Sequence, residues 1–168
     1  VTLVDLSPVQ LELARTRLTE RGLLDRVRGL HRADVLDLTA IDDDAYDAVV
    51  CFGGVLSYTK ERHPAALREI GRVVRPGGVI LVSVMSLLGI LRLLGPLDAS
   101  EVLEAIDTHL DWQATLSGAG VVYTRVGSVE FHQPLALFTS GGLESAITDA
   151  GFTVERMASA NPILPQFQ

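Results

Sequence analysis

The chain has 168 residues, 48% of them hydrophobic, which suits one domain with a sizeable core. With 14 basic and 21 acidic residues the net charge is −7, which argues against a protein that tracks nucleic-acid phosphates. A single cysteine, Cys51, excludes an intrachain disulfide and a multi-cysteine zinc site, and the most apolar region, Val79 to Gly95, is broken by Ser83, Ser86 and Arg92 and falls short of the ~20 apolar residues of a membrane span.

Val1 to Asp5 is an apolar run ending in a carboxylate and reads as a buried parallel strand. Ser7 as N-cap and Pro8 at the first helical position follow at once, so Asp5 is held at the strand's carboxyl end, the edge where open α/β sheets bind ligands. A carboxylate there is able to accept from two neighbouring ribose hydroxyls. Pro8 to Arg21 carries Leu11, Ala14 and Leu18 at helical spacing and is stopped by Gly22. Val27 to Ala33 is a weaker strand, ending in Ala33-Asp34-Val35-Leu36-Asp37, and Asp42-Asp43-Asp44 reads as a solvated loop with no metal.

Tyr46 to Phe52 is a second buried strand, and Gly53-Gly54 lets the backbone turn sharply or approach a ligand. Pro64 to Val74 has a strong helical stripe in Ala66, Leu67, Ile70, Val73 and Val74, ended by Arg75-Pro76-Gly77-Gly78. Val79 to Val84 is a third buried strand. Strands and helices that alternate through short turns imply a parallel sheet with right-handed crossovers.

The rhythm changes after Met85. Ser86 to Leu94 reads as an apolar helix, Asp98 to Glu101 as the start of another carrying Leu103, Ile106 and Leu110, and Val121 to Phe131 as β structure bending at Gly127-Ser128. Residues 86–137 are expected to form an insertion or lid over the ligand edge of a single domain spanning 1–168. Thr139 or Ser140 then caps a helix with Leu143, Ala146, Ile147 and Ala150, Gly151 ends it, and Phe152-Thr153-Val154 opens a further strand.

Taken in order, these pieces resemble a class I S-adenosylmethionine-dependent methyltransferase from its second strand onward. The resemblance rests on the acidic strand end at Asp5, the Ala33-Asp34-Val35 turn, the strand Asp47 to Gly53 and the phrase Leu67 to Gly78. Phe138-Thr139, Gly142-Leu143 and Ala150-Gly151-Phe152 add to it. It implies a Rossmann-like, doubly wound, mostly parallel α/β sheet with a mixed helix and strand insertion. It also implies S-adenosyl-L-methionine as cofactor. Asp5 would bind the ribose hydroxyls, Leu6 would pack on adenine, and Asp34, between Ala33 and Val35, would accept from the adenine amino group while the Val35 backbone addresses a ring nitrogen. Cys51, Phe52 and Gly53 would line the methionine part, and the Pro76-Gly77-Gly78 turn would touch no ligand.

The family's first strand and glycine-rich loop have no counterpart in these residues, and that strand lies in the family's sheet between those starting at Val1 and Tyr46. Glu155 to Gln168, with Pro162 and Pro165, is a poor closing strand. The first and last strands are therefore expected to be missing, and the chain is expected to be a fragment that neither folds independently nor turns over. The acceptor expected is a small, partly apolar molecule, with no nucleic-acid or membrane partner, a cytoplasmic location and an oligomeric state left open. If the acceptor arrives protonated a base is needed, and His132 and Tyr58 are the candidates, ahead of His63, Tyr123 and His109. A nicotinamide-dependent oxidoreductase would also use Asp5 but gives no reason for Asp34, and a non-catalytic binding domain of the same fold stays open.

Overall fold

A computed structural model describes residues 1–89, 121–126 and 129–159, with the backbone alone described at 121–126 and 129–132. Strand β1 (Thr2–Asp5) leads into helix α1 (Pro8–Glu20). The Ser7 hydroxyl accepts the Gln10 amide at 3.4 Å, so the expected cap forms. The expected stop forms as well. Gly22, at φ 63°, and Leu23 donate to the Thr19 and Leu18 carbonyls, satisfying the last turn of α1 through a left-handed residue that only glycine adopts without strain. Leu11, Ala14 and Leu18 are the half-buried side of this helix.

Strand β2 (Gly29–Arg32) runs parallel to β1, with Asp5 opposite Arg32. Strand β3 (Tyr46–Cys51) is followed by the single turn α2 (Val55–Tyr58), helix α3 (His63–Val73) and strand β4 (Val74–Val82), which is parallel to β3. Strands β5 (Val121–Val126) and β6 (Val129–Leu137) are antiparallel, and helix α4 (Ser140–Asp149) closes the described chain. Thr139 is its cap, accepting the Gly142 amide at 3.1 Å, and Gly151 and Phe152 donate back to Thr148 and Ile147 in the pattern seen at Gly22.

Several expectations are corrected. The strand expected from Val79 begins at Val74, directly after α3, because Val74 pairs with Tyr46 and the ladder resumes at Ala48–Val79, leaving Arg75 to Gly78 as an outward excursion inside the strand. Glycine is required in that excursion: a Cβ on Gly78 would lie 2.8 Å from the Asp47 carbonyl oxygen. Phe152 to Val154 forms no strand. Phe152 instead packs over Gly71 of α3, so the segment is held by side-chain burial and lacks a ladder partner. The β structure expected to end at Phe131 continues to Leu137, and Phe138 exchanges hydrogen bonds with Met85 and Leu87 beyond β4. Residues 87–89 are helical, as expected, while the rest of that helix and the one expected from Asp98 lie outside the described residues.

The strands expected to be buried on both faces are buried on one. Cys51, Leu56, Ala66, Leu67, Ile70 and Ile147 form the main core, with Val49, Ile80 and Val82 packed against it, so α3 and α4 cover that face of β3 and β4. The other face leaves Val50, Val79 and Leu81 exposed. Likewise β1 leaves Val4 exposed, with α1 packed against β1 and β2.

Among the described residues β1 and β3 share no ladder. Side chains hold the two pairs together instead. Leu38, Ile41 and Val73 bury one another beside Ala33 and Tyr46. Arg72 on α3 reaches the loop after β2, donating to the carbonyls of Leu38 and Ile41 at 2.8 Å each and to Asp43 at 2.6 Å. Glu69, one turn earlier, holds the same guanidinium and also accepts the Leu38 amide at 2.8 Å. The Asp42 to Asp44 loop is thus pinned through Asp43.

Arg72→Ala should lower the melting temperature, since it strips two carbonyls and a half-buried carboxylate of their donor, and Arg72→Lys should recover less than half of the loss, because an ammonium lacks the planar fork. The hydrogen bonds from Arg72, and then from the Leu38 amide, hold the Glu69 carboxyl below its ordinary value. Its stabilisation is therefore complete above a glutamate's usual pKa of about 4.3 and is lost as pH falls through the depressed value. Thermal melts of the full-length protein across pH 3 to 7 (roughly the span that brackets a carboxyl titration) should show that Glu69→Gln flattens this acid decline. An unchanged acid limb would remove the clamp from the account.

Candidate functional site

Three turns follow strand ends: Asp5-Leu6-Ser7 after β1, Ala33-Asp34-Val35 after β2, and Phe52-Gly53-Gly54 after β3. The first two are joined by backbone, since the Ala33 amide donates to the Asp5 carbonyl at 3.3 Å. The second meets the third through Val35 and Leu36, which pack against the core cluster holding Cys51 and Leu56.

Asp5 and Asp34 are held by the same local device. The Asp5 Oδ1 accepts the Ser7 amide at 2.8 Å and the Asp34 Oδ1 accepts the Leu36 amide at 3.0 Å, each two residues on, as short acidic side chains do in Asx turns. A donation from the Asp37 amide to the Asp34 carbonyl at 2.9 Å tightens the second turn. One oxygen of each carboxylate is thereby fixed, and neither Oδ2 has a partner among the described residues. The Val35 amide takes no part in the turn's own hydrogen bonds. Each carboxylate therefore offers an acceptor of set direction to an incoming hydroxyl or amino group.

The apolar members divide. Leu6 and Phe52 are 62% and 58% exposed, so each presents a large surface that no packing in the described residues covers. Cys51 is 8% exposed, and burial pushes its thiol up from the ordinary value. Its side chain faces the core, which leaves its backbone as the part nearest the turn. Gly53 and Gly54 sit at φ 82° and 75°, a left-handed pair that lets the chain leave β3 sharply.

Tyr58 ends α2, one turn beyond Gly54, and its amide donates to the Gly54 carbonyl at 3.2 Å. His132 lies in β6 rather than after a strand, in the stretch where the β5–β6 register shifts, and its side chain lies outside the described residues, as does that of Tyr123. Strand β6 packs against α2, which makes the elements carrying Tyr58 and His132 neighbours. His63 has a structural role: its Nδ1 sits 2.8 Å from the Lys60 carbonyl and its ring packs edge-on to Phe138 at 5.1 Å. His109 lies outside the described residues.

Sequence reasoning passed over two serines that brace the third turn. The Ser83 hydroxyl accepts the Gly53 amide at 3.1 Å, and the buried Ser57 hydroxyl accepts the Met85 amide at 2.9 Å. A serine within an apolar run carries no sequence signal for such a role. A separate surface pocket of about 230 Å³ lies at the other end of β4, lined by Asp44, Gly71, Arg75 and Phe152 among others. Its basic group, Arg75, is already paired with Asp47, whose carboxyl it holds low, so no unpaired basic side chain is presented there. Among the described residues no set of His, Cys, Asp and Glu side chains could hold a metal ion, and no helix is long and apolar enough to cross a membrane.

Residues 1–78 match the model of a family described as a methyltransferase domain. Over 82 residues the chain is 33% identical to the ubiquinone/menaquinone biosynthesis C-methyltransferase of Idiomarina loihiensis, a match covering 49% of this chain and 31% of that protein. Over 86 residues it is 36% identical to the malonyl-[acyl-carrier protein] O-methyltransferase of Serratia marcescens, covering 51% and 30%. The chain thus spans about a third of the length of these curated relatives. Its fold is similar to that of a SAM-dependent methyltransferase from Methanosarcina mazei, with a TM-score of 0.61 at 18% identity, covering 89% of this chain and 68% of that one. The architecture is the doubly wound, Rossmann-like α/β fold in part.

The native Cys51 thiol should resist iodoacetamide at neutral pH and react promptly once the protein is denatured. Mass spectrometry of timed samples reads this directly, and rapid native labelling would put the thiol outside the core.

Proposed function

We propose, from the premise that the chain belongs to the class I S-adenosylmethionine-dependent methyltransferases, that it supplies the adenosine-binding edge and the methyl-proximal turn of an enzyme that methylates a small molecule. The observation that carries this reading is the pair of anchored carboxylates, Asp5 at the end of one strand and Asp34 just past the end of the parallel strand beside it, with an exposed leucine next to the first and, next to the second, an amide with no partner among the described residues. That donor and acceptor set fits an adenosine. Asp5 accepts from the two ribose hydroxyls, Asp34 from the exocyclic amino group, the Val35 amide donates to a ring nitrogen, and Leu6 covers the ring face, close to Ala33. Phe52, Gly53 and the Cys51 backbone border the methionine part.

When bound, the cofactor supplies an already activated methyl group on a sulfonium, so the protein's task is in-line positioning and exclusion of water. Phe52 contributes apolar surface where a charged sulfonium is best kept from competing water. A base is needed only for a protonated acceptor, and His132 fills that role in this reading, with Tyr58 on the neighbouring element orienting the acceptor.

The acceptor is small and partly apolar, in line with the net charge of −7 and with relatives named for quinone biosynthesis and for an acyl-carrier-bound malonyl group. Residues 86–137 are then the place for acceptor selection. The reading places the protein in the cytoplasm, free of nucleic acid and membrane.

Calorimetric titration of the full-length protein with S-adenosylmethionine, S-adenosylhomocysteine and NAD tests the reading. The first two should bind, and Asp5→Ala or Asp34→Ala should weaken both at least about tenfold, the loss of one or two charge-assisted hydrogen bonds. Binding of NAD alone would replace the methyltransferase with an oxidoreductase. His132→Gln should cut turnover by about 10²- to 10⁴-fold with cofactor affinity retained. Undiminished turnover would take His132 out of the mechanism.

A further inference from the structure

We propose that Ser83 is a positioning residue for the amino-acid half of the cofactor, acting by locking the Cys51-Phe52-Gly53 turn. The inference rests on the reading of the three strand ends as the S-adenosylmethionine site. Ser83 directly follows β4 and grips the neighbouring turn at two points. Its amide donates to the Cys51 carbonyl at 3.0 Å, and its Oγ accepts the Gly53 amide at 3.1 Å. The two bonds straddle Phe52, so one residue fixes both ends of a three-residue turn.

That turn has little else to hold it. Gly53 stands at φ 82°, where glycine gives up the most conformational freedom on ordering, and no atom of the described residues comes within 4 Å of where its Cβ would be. Gly54 differs, because a Cβ there would touch the Met85 side chain at 3.2 Å, and Met85 is itself held by Ser57. Phe52 is 58% exposed, so core packing does not set its direction and the backbone on either side must. Both Ser83 bonds go to residues bordering the methionine part, and neither goes to the Asp5 or Asp34 turns. The effect of Ser83 is therefore confined to one half of the ligand.

The test is calorimetry on the full-length protein with S-adenosylhomocysteine, which has the amino-acid tail, and 5′-methylthioadenosine, which lacks it. Ser83→Ala should weaken the first by about five- to tenfold, the worth of one net hydrogen bond, and change the second by less than about twofold. Ser83→Thr, which keeps the hydroxyl, should bind both nearly as the unsubstituted protein does. Equal losses for the two ligands, or no loss for either, overturn the inference while leaving the site reading in place. An unsubstituted protein that binds neither ligand overturns both. Amide hydrogen exchange of the unsubstituted protein decides the matter independently of any variant's folding. The Gly53 amide should be protected despite its exposed position, and exchange at the rate of a free loop amide overturns the clamp.

Discussion

Two pairs of parallel strands that share no ladder among the described residues are held in register there by side chains, and everything proposed for the site depends on that. Within a ladder, the spacing between strand ends is fixed by hydrogen bonds about every other residue. Between β2 and β3 the described residues provide instead the Leu38, Ile41 and Val73 cluster and the Arg72–Glu69 fork. The apolar cluster is non-directional and would tolerate sliding. The fork is not: a planar guanidinium that reaches two carbonyls and two carboxylates at once accepts only one placement of the loop against α3. Asp34 is four residues ahead of Leu38, so the fork also sets how far the Asp5 and Asp34 turns lie from the turn after β3.

The same arrangement explains why burial is lopsided. Helices α3 and α4 cover the Cys51 face of β3 and β4, and their apolar stripes are spent there. Val50 and Leu81, register partners on the opposite face, stay 60% and 48% exposed. Hydrophobic stabilisation scales with area removed from water, so the described residues draw theirs mostly from one face of the sheet. Polar devices at the strand ends then matter more than they would in a two-faced core. The Asx turns at Asp5 and Asp34, the serine braces and the fork are all polar, and all lie at loops that apolar packing reaches only in part.

Legibility in the sequence follows the range of the interaction responsible. The start of α1 at Ser7-Pro8, its stop at Gly22, and the cap and stop of α4 at Thr139 and Gly151 are decided within a few residues, and each is readable as such. The carboxyl-end positions of Asp5 and Asp34 are equally local, because an apolar run followed by a capped turn puts them there. Strand β4 begins early for a reason no local pattern holds: Arg75 and Gly78 are placed by Asp47, 28 and 31 residues away in sequence. Phe152 to Val154 has the composition of a strand, but composition does not supply a neighbour, and Gly71 offers a packing site in its stead. Arg72 and Glu69 look like an ordinary exposed pair one turn apart, and their reach to Leu38 and Ile41 emerges only once α3 lies over the loop.

The carboxylates and the glycine turn are held in opposite ways. Asp5 and Asp34 each give one oxygen to their own backbone, losing half their hydrogen-bonding capacity and gaining a fixed direction for the other half. The Phe52 turn has no such internal anchor, because a left-handed glycine pair has no side chains with which to hold itself. Its order is borrowed from the next strand, through Ser83 and, by way of Met85, through Ser57. In the proposed reading, recognition of the rigid, polar adenosine half is thus built into single turns, whereas the turn assigned to the methyl-bearing half is set by contacts with the segment after β4. A change in β4 or in the segment after it therefore reaches the Phe52 turn first and leaves the Asp5 and Asp34 turns where their own backbones hold them.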